Sequence, residues 1–493
     1  MRAPADPPTG PALQAILRER FGHRALRPLQ ARIVERVMGG GDALVVMPTG
    51  SGKSLCYQLP ALALPGPGTA LVFSPLIALM EDQVQALRRR GIRAQYVNST
   101  VRPQERRRRY RRIAEGAYEI VYVTPERMQK SDFVDVVAKD RPGAVPLKLL
   151  AVDEAHCISK WGHDLRPAYR EVGRFREMLR RPVTLALTAT ATHAVRDDIR
   201  RVLGDDERSM PLFAAPVDRP NLDLRVEEVW DDAQKVERIR ETARAMGGTG
   251  IVYFTLIRDL DRMAGDLRRA MPERPIAIYH GRLDGERKKA VQDRFTAARP
   301  EDGLLLLATN AFGLGVDKSD IRFIVHAQVP GSVEAYFQEV GRAGRDGLPS
   351  RCVLLYGQDD LAIQQEFTAW KNPPADLLRR MVHVLAASDH ADFDVEEVSE
   401  ALFGRRPTDR RLEYALIALE HLGVVEWTPV PGRFRLARPL EEDDLDEEEM
   451  ETRRKQDLAR LLDLVQMVRE GNPAATVAAY FDLRRSGSGG IPR

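Results

Sequence analysis

The sequence predicts an α/β protein with two tandem parallel-sheet domains, followed by a smaller α+β domain and a helical segment. Ten short apolar runs alternate with charged, helix-compatible segments, five in each of two successive blocks. Continuous apolar strands that alternate with helices are typical of parallel sheets buried on both faces. The runs lie at 43–47, 70–74, 119–123, 149–153 and 184–188, then at 250–254, 276–280, 304–308, 323–327 and 352–356.

A segment rich in Pro and Asp lies between the two blocks, at 205–222, and predicts a hinge. The length of 493 residues fits about three domains at roughly 100–200 residues each. We therefore expect a helical lead-in at 1–24, a first α/β domain at 25–205 and a second at 206–358.

The pattern changes after Gly357 to amphipathic helices and then to a hairpin at 424–437 with Pro-Gly at its turn. Three helices followed by a two-stranded wing is the order of a winged-helix-like domain, expected at 372–440. A helical packing domain that touches no nucleic acid is the alternative. The helices are expected at 376–387, 394–403 and 408–422.

The last part of the chain begins with nine acidic residues in the eleven at 441–451. Such a block repels itself and is usually a solvated linker or a solvated helix face, and we expect an acidic linker at 441–452. A polyanion mimic that competes for a basic groove is the alternative. A helical pair is expected at 453–485, and the Gly/Ser-rich end predicts a disordered tail at 486–493.

The composition is that of a soluble protein, with a net charge of only +3 that neither favours nor excludes a polyanionic ligand. No apolar stretch is long enough to span a membrane, and the first residues do not form a signal peptide. We therefore expect a cytoplasmic protein. Cys56, Cys157 and Cys352 lie far apart, which predicts buried reduced thiols and neither a disulfide framework nor a four-thiolate zinc site.

A phosphate-binding loop is indicated by MPTGSGKS at 47–54, directly after an apolar strand and before a helix-compatible run. In that context the backbone N–H groups of a Gly-rich loop cradle phosphates. Met47 stands where the strict pattern has glycine, but the core of the motif is intact. We expect Lys53 to reach the β- and γ-phosphates of ATP and Ser54 to help hold Mg²⁺. The candidate ATP-binding residues of this loop are Thr49, Gly50, Ser51, Gly52, Lys53 and Ser54.

Two adjacent carboxylates follow the strand at 149–153, in the sequence DEAH at 153–156. Ligands of α/β sheets bind at the carboxyl ends of parallel strands. We expect Asp153 to hold Mg²⁺ and Glu154 to orient and deprotonate the attacking water. A solvated acidic turn is the alternative interpretation.

Two arginines three residues apart, Arg342 and Arg345, lie in QEVGRAGRDG at 338–347 in the second block. Planar guanidinium groups stabilise the charge that spreads over transferring phosphoryl oxygens. We expect both to be catalytic and, because Lys53 is in the other domain, catalysis to depend on domain closure. An ordinary surface arginine pair is the alternative.

The order of these motifs resembles the superfamily 2 helicases, and within them the RecQ group, over about residues 20–360. The resemblance implies that both α/β domains are RecA-like and that ATP and Mg²⁺ are the cofactors. The segment LRPLQ at 26–30 is similar to the adenine-reading motif of this group. Arg27 and Gln30 are therefore expected in the ATP site, with Gln30 on the adenine edge.

Further segments resemble the motifs with which the group binds DNA or couples it to hydrolysis. The loop at 157–169 is the most diagnostic, because RNA helicases of the superfamily lack it. Trp161, Arg166 and Tyr169 in that loop would offer a stacking face for bases beside cationic groups. The implied DNA-binding or coupling residues are Ser74, Asp82, Gln83, Thr124, His156, Trp161, His163, Arg166, Thr188, Thr190, Asn310, Gly315 and Gln338.

The resemblance implies an ATP-dependent DNA helicase that translocates 3′-5′ on single strands and unwinds duplexes in recombination and repair. The alternatives are an RNA helicase, an ATP-driven translocase or remodeller that unwinds weakly, and a non-catalytic scaffold. The hairpin at 431–434 is the candidate strand-separating element. The Arg-rich run at 106–112 is a candidate phosphate-contacting helix or, alternatively, a solvated helix surface.

The expected partners are single-stranded and forked DNA, with single-strand-binding protein as a candidate, and the protein is expected to be a nucleoid-associated monomer. Many RecQ-like proteins place a four-cysteine zinc site after the motor, whereas this chain has no cysteine after Cys352. The run at 459–483 resembles that helical pair with its thiols replaced. We therefore expect no zinc, and a pair held by packing alone.

Overall fold

The structure is a computed structural model that describes most of the chain. The described residues fall into two compact units, one comprising 1–328, 334–355 and 470–493 and the other comprising 329–333 and 356–469. None of the described helices is long and apolar enough to cross a membrane. The described ranges are 10–48, 50–98, 100–138, 145–159, 167–216, 218–313, 318–388, 390, 392–404, 411–428, 430 and 432–481.

Seven strands form the first sheet of the larger unit, and every neighbouring pair is parallel. The strands are β1 (Ala43–Val46), β2 (Thr69–Phe73), β3 (Ala94–Val97), β4 (Ile120–Val123), β5 (Leu147–Val152), β6 (Thr184–Thr188) and β7 (Leu212–Ala214). Their order is β3-β4-β2-β5-β6-β1-β7. The helices of this domain are α1 (Pro11–Phe21), α2 (Pro28–Met38), α3 (Leu55–Ala63), α4 (Ile77–Arg89), α5 (Pro103–Ala114), α6 (Ser131–Val137), α7 (Pro167–Arg170), α8 (Val172–Met178) and α9 (His193–Leu203).

Apolar side chains cover both faces of this sheet, as its continuous apolar strands predict. Leu44 and Val46 of β1 belong to one buried cluster, whereas Val45 belongs to the cluster on the other face. The cluster that contains Val45 also contains the inner side chains of α4, and the opposite cluster contains those of α5. The carboxyl ends of the strands therefore share one edge, from which the loops that carry the candidate motifs extend.

Six strands form the second sheet of the same unit. The elements are β8 (Leu222–Glu228), α10 (Asp232–Met246), β9 (Thr249–Phe254), α11 (Ile257–Ala270), β10 (Ile276–Tyr279), α12 (Gly285–Ala297), β11 (Leu305–Thr309), β12 (Ile321–His326), α13 (Val333–Val340) and β13 (Ser350–Tyr356). The sheet order is β10-β11-β9-β12-β13-β8, and the first five strands in this order pair in parallel. The prediction of two tandem parallel-sheet domains is confirmed.

Part of the predicted hinge at 205–222 is a strand of the first sheet. β7 pairs in parallel with β1, so the first domain extends beyond residue 205. A three-residue strand between prolines carries no periodic pattern, which is why the sequence did not indicate it. The edge strand β3 was also not predicted from the sequence, because the polar Gln95 interrupts its four residues.

The second unit contains helices and a small antiparallel sheet. The elements are α14 (Gln358–Lys371), α15 (Ala375–Ala386), β14 (Phe393–Asp394), α16 (Val395–Phe403), α17 (Arg411–His421), β15 (Val425–Trp427), β16 (Arg433–Leu436) and α18 (Glu447–Glu470). The sheet order is β14-β16-β15, and Phe434 is fully buried between Phe393 and Trp427 at ring separations of 5.8 and 6.0 Å. The helices α15, α16 and α17 and the β15–β16 hairpin that follows them have the predicted winged-helix order, and β14 adds a third strand to the hairpin.

The acidic segment at 441–452 is partly helical, which corresponds to the helix-face interpretation. A short 3₁₀ turn covers Glu442–Asp444, and α18 begins at Glu447. Negative charge is favourable near a helix N-terminus, and Glu447 also pairs with Arg379 at 2.6 Å. These local partners offset the self-repulsion from which the linker was predicted.

The predicted helical pair at 453–485 is divided between the two units. α18 belongs to the second unit, whereas α19 (Pro473–Tyr480) belongs to the first. The Tyr480 hydroxyl donates to Glu334 Oε1 at 2.5 Å, and the rings of Phe481 and Phe337 lie 5.3 Å apart. Both partners are on α13, so the chain after α18 braces the helix that leads into the arginine motif. The predicted tail at 486–493 lies outside the described residues.

Candidate nucleotide and nucleic-acid site

The loop between β1 and α3 has the backbone of a phosphate-binding loop. Gly50 and Gly52 have φ angles of +74° and +84°, a region that L-residues rarely adopt. At Gly52 a Cβ atom would also lie 2.4 Å from Gln30 Nε2. The positive φ angles therefore favour glycine at both positions, and a side chain at Gly52 would displace Gln30. Thr49, which was also predicted, lies outside the described residues.

Arg27 and Gln30 hold this loop from the start of α2. Gln30 Nε2 donates to the carbonyl oxygens of Ser51 and Gly52 at 3.1 and 3.3 Å. The Gln30 Oε1 atom accepts the backbone N–H of Arg27 at 2.9 Å, and the Arg27 guanidinium donates to Ser51 at 3.3 Å. The two residues predicted for the adenine end therefore lie beside the phosphate loop.

Lys53 is half-buried, and its amine is held by the start of the loop. Its Nζ donates to the carbonyl oxygen of Met47 at 2.9 Å. Burial lowers the pKa of Lys53, although Glu154 and Asp153 act in the opposite direction. The backbone of Met47, at the position where the strict pattern has glycine, thus supplies the acceptor that orients Lys53. In the sequence, Met47 was noted only as a departure from the glycine of the strict motif.

The two carboxylates of the DEAH motif lie directly beyond β5. The N–H of Asp153 bonds to the carbonyl oxygen of Phe73 at 2.8 Å, and its Oδ1 accepts the N–H of Glu154 at 3.1 Å. Glu154 has φ +49°, a left-handed conformation that is uncommon for a residue with a side chain. This turn aims Glu154 away from the strand direction and toward the site.

A divalent cation fits the chemistry of these groups. Burial and the neighbouring Glu154 raise the pKa of Asp153 to about 7, although Lys53 opposes them. Two buried adjacent carboxylates favour a cation, and Mg²⁺ prefers oxygen ligands. Asp153 and Ser54 are the residues that would hold it.

Replacing Asp153 with asparagine should stabilise the nucleotide-free protein above neutral pH. Folding moves the pKa of Asp153 from an ordinary 3.8 to about 7, so ionising it costs folding free energy increasingly between those values and fully above them. The melting temperature of Asp153→Asn should exceed that of the wild type more at pH 8 than at pH 5. Asp132→Asn, at an exposed helical position, is the control. An equal difference at both pH values would contradict the expectation.

A second His/Asp/Glu group of the described residues could in principle ligate a metal: His193, Asp197 and Glu207. Arg200 lies 3.5 Å from the Asp197 carboxylate and 3.2 Å from that of Glu207. Asp197 is also 2.8 Å from His193. Because a guanidinium already neutralises both carboxylates, this group is an ion-pair network and not a metal site.

The two predicted catalytic arginines occupy different places. A Cβ atom added to Gly50 would lie 2.6 Å from Arg345 Cδ and 2.8 Å from Arg345 Nε, so this side chain lies across the phosphate loop of the first domain. Arg342 is buried and donates to the carbonyl oxygen of Gly313 in its own domain. The structure therefore brings Arg345, from the second sheet's domain, to Lys53, and it gives Arg342 a local partner.

A chain of polar contacts leads from Glu154 to the second domain. His156 Nδ1 lies 3.3 Å from Glu154 Oε2 and 3.0 Å from Thr188 Oγ1. The Thr188 hydroxyl donates to the carbonyl oxygen of Thr190 at 2.9 Å. Gln338 Nε2, on α13, donates to Thr190 Oγ1 at 3.5 Å. The structure thus joins four of the residues predicted to couple DNA to hydrolysis into one relay, which we call the Glu154–Gln338 relay.

Polar atoms at the ends of three neighbouring strands face the same sheet edge. Ser74 Oγ, Asn98 Nδ2 and Arg127 Nη1 are buried atoms without a hydrogen-bond partner among the described residues, although the Tyr110 hydroxyl contacts the Arg127 side chain. They follow β2, β3 and β4, which are adjacent in the sheet. Ser74 was among the predicted DNA-binding residues, whereas Asn98 and Arg127 were not. Arg127 lies three residues after the predicted Thr124, in the segment TPERM at 124–128, and Asn98 lies directly after β3, a strand that was not predicted.

The other predicted DNA-binding residues have varied surroundings. Gln83 accepts a hydrogen bond from Gln58 at 2.9 Å, and Thr124 is half-buried. Asp82 and Asn310 are exposed. Trp161, His163, Arg166 and Gly315 lie outside the described residues.

Tyr169 does not provide the predicted stacking face. Its ring is fully buried, and its hydroxyl donates to the carbonyl oxygen of Asp153 at 3.1 Å. The aromatic ring of α7 therefore packs in the core under the DEAH turn and supports it. Cys56, Cys157 and Cys352 are buried free thiols, as predicted.

Comparisons with known proteins agree with this geometry. The DEAD/DEAH box helicase family matches residues 27–199, and the helicase conserved C-terminal domain matches 234–347. A fold likeness exists to the structure of the Mycobacterium smegmatis helicase Lhr bound to single-stranded DNA and AMP-PNP. It has a TM-score of 0.55 and 22% identity, and it covers 88% of this chain and 61% of that one.

Two relatives from Bacillus subtilis (strain 168) are similar over most of this chain. The probable ATP-dependent DNA helicase RecS is 38% identical over 381 residues, which cover 77% of this chain and 74% of RecS. The ATP-dependent DNA helicase RecQ is 41% identical over 354 residues, which cover 71% of this chain and 57% of RecQ. The chain thus spans about three quarters of the first relative and little more than half of the second. It belongs to the RecQ/RecS family of ATP-dependent DNA helicases.

Proposed function

We propose that this chain hydrolyses ATP to translocate along single-stranded DNA, with 3′-5′ polarity, and unwinds duplexes in recombination and repair. The observation that carries the proposal is the Glu154–Gln338 relay, because it connects the hydrolytic carboxylate to a helix of the other domain. A protein that only binds nucleotide has no need of such a connection. A motor has to convert a change at the phosphates into movement between its domains.

The hydrolytic step is assigned to groups of both domains. Lys53 and the backbone of Gly50 and Gly52 would hold the phosphates, and Glu154 would orient the attacking water and accept its proton. Asp153 and Ser54 would hold Mg²⁺, which would supply positive charge for the phosphoryl transfer. The Arg345 guanidinium lies over Gly50, where it would stabilise the charge that develops on the transferring group.

The relay gives this chemistry a route to the other domain. His156 contacts both Glu154 and Thr188, so its ring position depends on whether Glu154 is engaged with water. The 3.5 Å contact between Gln338 and Thr190 is long for a hydrogen bond, as expected of a joint that forms and breaks. Closure of the domains around ATP would shorten this contact, and product release would loosen it.

The nucleic-acid strand is assigned to the edge marked by Ser74, Asn98 and Arg127. Buried polar atoms without protein partners are costly unless a ligand or water satisfies them. Hydroxyl, amide and guanidinium donors of this kind bind phosphate and sugar oxygens. This edge carries the carboxyl ends of β2, β3 and β4, the same side of the sheet on which Lys53 and Asp153 lie.

The proposal includes single-stranded and forked DNA as substrates and single-strand-binding protein as a partner. It also includes a monomer that acts at the nucleoid in the cytoplasm. Sedimentation of the full chain with a labelled fork would test the stoichiometry directly.

The first experiment is ATP hydrolysis by the wild type and by Gln338→Ala, each with no nucleic acid, with single-stranded DNA and with RNA of equal length. We expect DNA to stimulate the wild type strongly and RNA weakly. Gln338→Ala should keep its basal rate but lose most of the stimulation, because the relay ends at that side chain.

Gln85→Ala, at an exposed position of α4, is the matched control. Strand displacement on forks with a 3′ or a 5′ single-stranded tail would then fix the polarity. A wild type that DNA does not stimulate would overturn the proposal, and equal stimulation by RNA would favour an RNA helicase. Stimulated hydrolysis without strand displacement would indicate a translocase that remodels complexes.

A further inference from the structure

The open edge of the first sheet carries a basic groove, away from the nucleotide loop. A cavity of about 490 Å³ extends along β3 between the ends of α4 and α5. Five arginines and one glutamate are the charged side chains that line it: Arg88, Arg93, Arg108, Arg109, Arg112 and Glu105. We call this cavity the arginine groove. No part of the site described above uses it.

The arginines of the groove are only partly neutralised. Glu105 lies 3.1 Å from Arg109 and 3.9 Å from Arg108, and Arg93 lies 3.6 Å from Glu119. Two carboxylates therefore face five guanidinium groups, which leaves a surplus of positive charge. Because Arg108 and Arg93 have side chains 73% and 62% exposed, this surplus is presented to solvent.

Two of the arginines differ from the others because they form hydrogen bonds with the backbone of the edge strand. Arg88 Nε donates to the carbonyl oxygen of Ala94 at 3.0 Å, and Arg109 donates to that of Tyr96 at 2.7 Å. These carbonyl groups belong to β3, at the edge of the sheet. Their guanidinium caps block the addition of another strand, so the groove is not built to extend the sheet.

The remaining arginines are arranged for an anion. The guanidinium of Arg112 lies over the ring of Tyr118 at 5.4 Å, which fixes its plane at the wall of the groove. Arg93 and Arg108 stand on the walls formed by β3 and α5. Planar guanidinium groups bind phosphate oxygens in pairs, and the groove contains no lysine.

The shape favours a polymer over a single small anion. Beyond the groove, α5 adds Arg106, Arg107 and Arg111, so the positive charge runs along a twelve-residue helix. Such a helix is about 18 Å long, which spans several phosphates of a nucleic-acid strand. The groove is lined by Arg93, Ala94 and Gln95 at the amino end of β3, whereas Ser74 and Asn98 follow the carboxyl ends of their strands.

We propose that the arginine groove is a second nucleic-acid site, which binds the phosphodiester backbone of a segment other than the strand held at the carboxyl edge. The inference rests on the proposed function only for the choice of nucleic acid as the polyanion. On a fork, the segment would be the duplex arm. The site would anchor the substrate while the motor domains open and close.

The test compares the full-length wild type with the triple variant Arg93→Gln, Arg108→Gln, Arg112→Gln in equilibrium binding to forked DNA at several salt concentrations. Each lost phosphate contact should lower the slope of log affinity against log salt by about 0.9 for duplex DNA. We expect the slope to fall by about 2–3 and the affinity at low salt to drop about tenfold or more. ATP turnover at saturating single-stranded DNA should stay at the wild-type rate.

The matched control is Arg258→Gln, Arg269→Gln, Arg299→Gln, which removes the same charge from exposed arginines of the second domain. Should the triple variant melt at a lower temperature, Arg108→Gln alone is tested, with an expected slope change of about 0.9. An unchanged slope and affinity, or a loss no larger than in the control, would overturn the proposal and direct attention to acidic proteins. Failure of the proposed function would show separately, as wild-type hydrolysis that DNA does not stimulate.

Discussion

Replacing Arg345 with alanine should lower the rate of ATP hydrolysis by about 10³–10⁵-fold while nucleotide affinity changes only a few-fold. The guanidinium of Arg345 lies across Gly50 and influences the Lys53 amine, so it stands where charge develops during phosphoryl transfer. Its contribution should be small in the ground state, because Lys53 and the loop backbone already hold the phosphates. The measurement is single-turnover hydrolysis at saturating ATP, together with the affinity for a non-hydrolysable analogue.

Two variants give this prediction its controls. Arg345→Lys keeps a positive charge but not the planar pair of donors, and it should recover only a small part of the rate. Arg299→Ala removes an exposed arginine of the same domain and should leave hydrolysis unchanged. An Arg345→Ala rate within tenfold of the wild type would show that another cation acts in the transition state.

Sequence and geometry rank the two arginines differently. In the sequence Arg342 and Arg345 are equivalent, since both follow glycine-rich turns three residues apart. In the structure, Arg342 is buried within its own domain, where it donates to the carbonyl oxygen of Gly313 and lies beside Tyr253. Its loss should therefore weaken the packing of the segment after β11 as well as hydrolysis. Only contacts between distant parts of the chain could separate the two roles.

The motor sheets could be predicted from sequence because their strands are short, continuous apolar runs buried on both faces. Where that signal is absent, prediction failed: Gln95 interrupts β3, and β7 has three residues. The same limit applied to the nucleic-acid edge, where Asn98 follows the unrecognised β3. A residue at a strand end can be placed only when the strand itself is recognised.

Among the individual site residues, those in local motifs could be predicted from sequence, whereas those that depend on distant packing could not. Gly50, Gly52, Lys53 and Asp153 lie in local motifs whose chemistry depends on nearby sequence, and the structure brings them together. Tyr169 was misjudged, because an aromatic side chain in a polar segment has the same local pattern whether it faces solvent or the core. Burial there depends on α7 packing under the DEAH turn, which no local pattern encodes.

Replacing Glu154 with glutamine should lower hydrolysis by about 10²–10⁴-fold and leave ATP binding intact. Glutamine has the size of glutamate but cannot accept a proton from water, so the variant removes the base and keeps the shape. The left-handed turn at Glu154 should persist, since both residues carry a Cβ atom that meets the same strain. The measurements are single-turnover hydrolysis with and without single-stranded DNA, and the binding affinities for ATP and for single-stranded DNA.

The relay makes a second outcome of this variant informative. The neutral amide should weaken the contact with His156, which the Glu154 carboxylate now makes at 3.3 Å. We therefore expect Glu154→Gln to keep ATP and DNA bound together without cycling, so that its affinity for DNA in the presence of ATP rises above that of the turning-over wild type. Glu171→Gln, at a site where the carboxylate pairs with Arg174 near the surface, is the control. Normal hydrolysis in Glu154→Gln would assign the base elsewhere, whereas lost hydrolysis with unchanged DNA affinity would separate the carboxylate from the relay.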